Sequence, residues 1–106
     1  KIKKLVKKTG KYIIQVGRIY KIKNYETTIQ ALRHVNPSIN YIIAGPVGSQ
    51  TYFEKLQKLI DNLGLTKRVH FVGVVRGVDK YYLMKKAILM VHMAHWEVFA
   101  MLFMKE

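Results

Sequence analysis

The sequence predicts a three-layer α/β domain: a parallel sheet of about four strands with helices on both faces. Three observations lead there. Four short runs rich in Ile and Val, at residues 12–17, 40–45, 69–73 and 88–93, are nearly unbroken in their apolar residues, as strands buried on both faces are. Segments with apolar residues at helical spacing separate them. The links are short and three of the runs stop on a glycine, Gly17, Gly45 and Gly73, which suits a β-α repeat whose strands run parallel.

The first run, YIIQVG (Tyr12 to Gly17), precedes a helix with Asn24 as N-cap, Glu26 in its first turn and Ile29, Leu32 and Val35 on one stripe. Pro37 ends it. NYIIAG (Asn40 to Gly45) repeats the strand pattern, and the loop PVGS leads to a second helix carrying Phe53, Leu56, Ile60 and Leu63. In that helix Glu54 and Lys58 pair at i, i+4, and Gly64 sits where a C-terminal cap belongs. VHFVG (Val69 to Gly73) is the third strand, DKYYLMKKA a short helix opened by Asp79, and ILMVHM (Ile88 to Met93) the fourth strand. From about Val98 to the end, VFAMLFMKE reads as a helix. Residues 1–11, dense in lysine, read as a basic linker or arm ahead of one domain at 12–106. The start on Lys1 and the end inside an apolar segment suggest a piece of something longer, truncated at both ends.

Composition narrows the partners. Nineteen Lys and Arg against six Asp and Glu leave a formal charge of +13, so phosphate, nucleic acid and an anionic membrane surface are all candidates. The chain has no cysteine, which excludes disulfides and thiol chemistry and fits an intracellular, cytoplasmic protein. No apolar run approaches the roughly 18 residues of a spanning helix, so the chain is expected to be soluble.

In an open parallel sheet, ligands collect at the carboxyl ends of the strands, where helix N-termini present free N–H groups. Gly17 is followed at once by Arg18, and Lys23 lies one residue before the expected helix start. Two cations there suit a diphosphate; on spacing alone they can equally be two of nineteen solvated charges. Neither G-x-G-x-x-G nor G-x-x-x-x-G-K-[ST] occurs, which argues against a dinucleotide dehydrogenase or a P-loop enzyme. His92, His95 and Glu97 have no recognised metal-ligand spacing, and structural histidines are the simpler reading. Glu97, between a strand and an apolar helix, caps the helix or binds hydroxyls.

Four stretches together resemble the C-terminal, donor-binding domain of retaining GT-B glycosyltransferases, the group that includes mannosyltransferases and sucrose and glycogen synthases. VGRIYKIKNYETTIQAL is similar to the family's G-R-[LI]-x-x-x-K-[GN] and helix, and YIIAGPVG to its second strand and loop. LGLTKRVHFVGVV is similar to L-G-L-x-x-R-V-x-F-x-G-x-[VL], and AILMVHMAHWEVFAMLFMKE to its last strand, E-x-F-G turn and helix. The resemblance implies a Rossmann-like half of a two-domain enzyme that moves a hexose such as mannose or glucose from a nucleotide-sugar with retention. An acceptor-binding domain would precede it, and the isolated fragment would be inactive. No metal or cofactor is expected besides the nucleotide-sugar substrate. Gly17, Arg18 and Lys23 would hold the donor diphosphate, Gly73, Val74 and Val75 would lie against the base, and Glu97 would bind sugar hydroxyls. The backbone at Phe99 and Ala100 would approach the sugar phosphate. No catalytic group is expected with certainty in this stretch.

The chain departs from that pattern at three places. Ala94 stands for a serine and Ala100 for a glycine, and Lys105 stands for the second glutamate. Lysine only donates hydrogen bonds and cannot accept from ribose hydroxyls. Glu106 is one place late, about 100° round a helix, and would reach a ribose only through a one-residue bulge. Two rivals follow: a basic nucleic-acid-binding domain, for which the charge is the whole case, and a degenerate relative that keeps the fold but binds no donor.

Overall fold

The computed structural model describes residues 2–19, 25–94 and 97–102, and for residues 92–94 and 97–102 it gives the course of the backbone. The strands β1 (Tyr12–Val16), β2 (Asn40–Ala44), β3 (Val69–Gly73), β4 (Leu89–Ala94) and β5 (Glu97–Leu102) form one sheet in the order β3-β2-β1-β4-β5. The first four run parallel, with β1 between β2 and β4. The helices are α1 (Ile2–Thr9), α2 (Tyr25–Ala31), α3 (Gln50–Asn62) and α4 (Gly77–Lys86) among the described residues, with a 3-10 turn, Leu32–His34, continuing α2.

Alternation along β1 explains why the strand is apolar throughout. Tyr12 and Ile14 face a cluster with Ile2, Leu83 and Ala87, whereas Ile13 faces the opposite cluster with Ile29, Leu32, Leu56 and Ile60. Thus α1 and α4 cover one face of the sheet and α2 and α3 the other, the three layers expected. Complete burial of Ile14, Ile42 and Ile43 stabilises by roughly 1.5 to 3 kcal/mol each. Gln15 is the polar exception in β1. It is buried and accepts a hydrogen bond from the Tyr41 hydroxyl at 2.5 Å, and burial holds the Tyr41 pKa well above its ordinary value. The Tyr12 hydroxyl donates to the Leu83 carbonyl and so fastens α4 to the sheet. Burial, with Tyr82 nearby, pushes its pKa up to about 12.

The end of α3 follows from Gly64. Its φ of 70° lets the Leu65 N–H reach the Ile60 carbonyl at 2.9 Å and its own N–H reach Asp61 at 3.1 Å, a Schellman closure with the apolar pair Leu65 and Ile60 inside. Arg68 then braces the turn after α2. Its guanidinium donates to the carbonyls of Leu32 (3.1 Å), Asn36 (3.0 Å) and Ile39 (2.9 Å).

Two elements differ from expectation. The stretch read as a basic linker or arm carries α1, because Ile2, Leu5, Val6 and Thr9 fall on one helical face and pack toward the sheet while the lysines point outward. The segment expected as a helix from Val98 onward contains β5, antiparallel to β4 with Leu102 opposite Leu89 and Glu97 opposite Ala94. Only two residues separate Ala94 from Glu97, so the chain can pair there only by folding straight back. An apolar run as short as the five residues Val98 to Leu102 satisfies strand and helix periodicity alike, and the open edge of β4 decides it. The expected cap Asn24 lies outside the described residues.

Candidate functional site

The chain leaves β1 and runs out to β2 and β3, then returns to β4 on the other side of β1. Such a reversal leaves a crevice beyond the carboxyl ends of the central strands. The three turn glycines meet there through backbone hydrogen bonds. Gly17 N–H donates to the Ala44 carbonyl at 2.9 Å and Gly45 N–H to the Gly73 carbonyl at 2.8 Å, while Ile19 N–H reaches Pro46 at 2.9 Å. Glycine is required at position 45: its φ is 151° and a Cβ would stand 1.9 Å from the Gly17 carbonyl oxygen. From α2, the buried Tyr25 donates its hydroxyl to the Gly17 carbonyl at 3.0 Å and so pins the turn from below.

A cleft of about 450 Å³ opens above these turns, walled by Gly17, Arg18, Gly45, Val74, Val75 and Arg76, with Gly77 and Lys80 of α4 completing it. Arg18, Arg76 and Lys80 are exposed, and no carboxylate lines the cleft among the described residues. The cleft is therefore a positive pocket with the N-terminus of α4 opening into it at Gly77, a setting for a phosphate-bearing ligand. Arg18 is not placed at random. Its stem lies over Gly48, where a Cβ would meet Arg18 Cγ at 2.6 Å and Cδ at 2.7 Å.

Of the residues expected at the site, Gly17, Arg18, Val74 and Val75 come together in this cleft, with Gly73 at its margin through the bond to Gly45. Glu97 begins β5 opposite Ala94, at the carboxyl end of β4 and hence at the same end of the sheet. Phe99 and Ala100 run down β5 opposite His92 and Val91, so Ala100 lies three residues, about 10 Å along the strand, from that end. Lys23, His95, Lys105 and Glu106 lie outside the described residues. Arg76, Lys80 and Gly48 are site residues that the sequence reading missed. The signal was present for Arg76-Gly77, which follows β3 as a glycine and cation in a strand-to-helix link, the pattern already seen in Gly17-Arg18.

Comparison with known proteins bears on this cleft. The family model described as glycosyl transferases group 1 matches residues 1–104. The chain belongs to that family. This glycosyl transferase chain is similar to the crystal structure of Anabaena HepE in complex with UDP and glucose, at 29% identity and a TM-score of 0.78, over 88% of this chain and 26% of that one. It is also similar to WaaG, a glycosyltransferase involved in lipopolysaccharide biosynthesis, at 26% identity and a TM-score of 0.70, over 88% of this chain and 25% of that one. AviGT4, at 21% identity and a TM-score of 0.61, shares the fold. The chain thus spans about a quarter of the length of HepE and WaaG. Comparison with curated proteins gives no significant match.

Proposed function

We propose that this chain belongs to the donor-binding, C-terminal part of a group 1 glycosyltransferase that moves a hexose from a nucleotide-sugar to an acceptor with retention. The observation that carries the reading is the cleft at the carboxyl end of the sheet, with three cations and no carboxylate in its described lining, in a chain similar to HepE, which holds UDP and glucose. In this reading Arg18 and Lys23 bind the diphosphate, joined by Arg76 and Lys80, and stabilise the negative charge that grows on it as the sugar departs. Val74 and Val75 offer an apolar wall to the base, and Glu97 takes the sugar hydroxyls. An acceptor-binding domain of the same enzyme supplies the other wall and the remaining catalytic groups. The enzyme works in the cytoplasm, with mannose or glucose as the transferred sugar.

Titration with UDP, GDP and ADP, followed by NMR, tests this reading. Binding with shifts at residues 17–24 and 74–80 is expected for at least one of the three. Arg18→Ala should weaken it by about 10- to 150-fold, one charged hydrogen bond. Absence of shifts at those positions with all three nucleotides would sink the proposal and leave a relative of the fold that binds no donor.

A further inference from the structure

The α1 and α4 layer carries a surface that the donor cleft does not use. On α4, Leu83 points into the core while Val78, Tyr81 and Lys85, at i, i+3 and i+7, share the opposite stripe. That stripe should be polar on a helix facing water, yet Val78 is 79% and Tyr81 65% exposed. Packed beside α4, α1 turns Lys3, Lys4, Lys7 and Lys8 outward, with the Lys3 ammonium 5.7 Å from the Tyr82 ring and that of Lys85 5.7 Å from the Tyr81 ring. Lys86 is exposed on the same layer, and Asp79 is the one carboxylate of α1 and α4. One face therefore combines a bank of lysines with projecting aliphatic and phenolic side chains.

We propose that this face docks on an anionic bilayer surface, the lysines lying among the lipid headgroups while Val78 and Tyr81 enter the interfacial zone. Charge complementarity accounts for the cations: each Lys near an anionic leaflet strengthens binding about fivefold. It does not account for Val78. A duplex or single strand of nucleic acid would reward the lysines and could stack on Tyr81, but the valine side chain held in water gains nothing from phosphate. A headgroup interface rewards it together with tyrosine, which favours that depth. The inference does not rest on donor binding, since none of Lys3, Lys7, Val78 and Tyr81 lines the cleft.

Cosedimentation of the protein with vesicles of phosphatidylcholine, and of phosphatidylcholine mixed with phosphatidylglycerol, provides the test. Binding to the mixed vesicles and not to the neutral ones is expected. Lys3→Gln with Lys7→Gln should weaken it about 25-fold, and Val78→Asn with Tyr81→Asn about tenfold at unchanged charge. All four positions are exposed, so the variants should melt like the parent. No binding to the mixed vesicles overturns the proposal. So does full binding by the Val78→Asn, Tyr81→Asn variant, and so does an oligonucleotide that binds as tightly as the mixed vesicles and ignores that variant, since each makes the face a general polyanion surface.

Discussion

At the scale of single residues, the cleft depends on two glycines for different reasons. Gly45 is closed in by backbone: a Cβ there would lie 1.9 Å from the Gly17 carbonyl oxygen, and neither partner can move without breaking the loop ladder. Gly45→Ala should cost at least about 3 kcal/mol in a urea unfolding curve. At Gly48 the clash is with the stem of Arg18, which can swing away. Gly48→Ala should leave stability within about 0.5 kcal/mol yet weaken UDP binding nearly as much as Arg18→Ala, and unchanged UDP affinity would show that Arg18 needs no such seat. His70 is a third case. Its Nε2 is 3.1 Å from Asn40 Oδ1, while the Asn40 amide donates to the Thr9 carbonyl at 2.8 Å. That fixes the oxygen toward His70, so the ring donates from Nε2. Burial first, and the Lys8 cation second, hold the His70 pKa below 6.5. The neutral ring is the one the fold accommodates, so its contribution is complete above the unfolded value and is lost as pH falls through the lower folded one. Melting temperature should fall as pH drops below about 6.5, with a shallower slope in His70→Gln and in Lys8→Gln.

At the scale of elements, Arg68 shows how a motif residue can be structural. The resemblance places it inside L-G-L-x-x-R-V, and the structure turns it toward carbonyls at the end of α2 rather than toward the cleft. Arg68→Met keeps the stem and removes the donors. Because the group is only partly buried and water can replace part of what is lost, the expected cost is about 1 to 2 kcal/mol in urea unfolding, with UDP binding unaffected. The parallel strands were legible because burial on both faces leaves unbroken apolar runs, and the glycines after them because the turns need them. Helix α1 was hidden by composition: lysines at 3, 4, 7 and 8 obscured the inward stripe of Ile2, Leu5 and Val6. The strand β5 was not legible at all, since its period is ambiguous and only the vacancy beside β4 selects pairing. Within the cleft, Gly17 and Arg18 were readable because they adjoin a strand in sequence. Arg76, just ahead of α4, and Lys80 within it reach the same cleft, and their convergence depends on how the β2–β3 end and the α4 start are folded together.

At the scale of the whole molecule, a formal charge of +13 sets the local site against a general field. Self-repulsion among so many cations destabilises the folded state, and salt relieves it. Sodium chloride should therefore raise the melting temperature of the protein and of Arg18→Ala alike, because one charge in such a surplus changes the field little. A nucleoside diphosphate acts in two ways at once: it screens as any salt does, and it stabilises by mass action if it occupies the cleft. Occupancy at a ligand concentration of about 100 times Kd contributes about 2.7 kcal/mol, far beyond what screening by the same low concentration supplies. Melting curves at matched ionic strength, with UDP or with sodium chloride, should consequently separate the two proteins: the parent gains several degrees from UDP over chloride, and Arg18→Ala loses most of that excess while keeping its response to chloride. Equal gains from UDP in both would assign the effect to the field of the whole surface, and the cleft would then hold no diphosphate of its own.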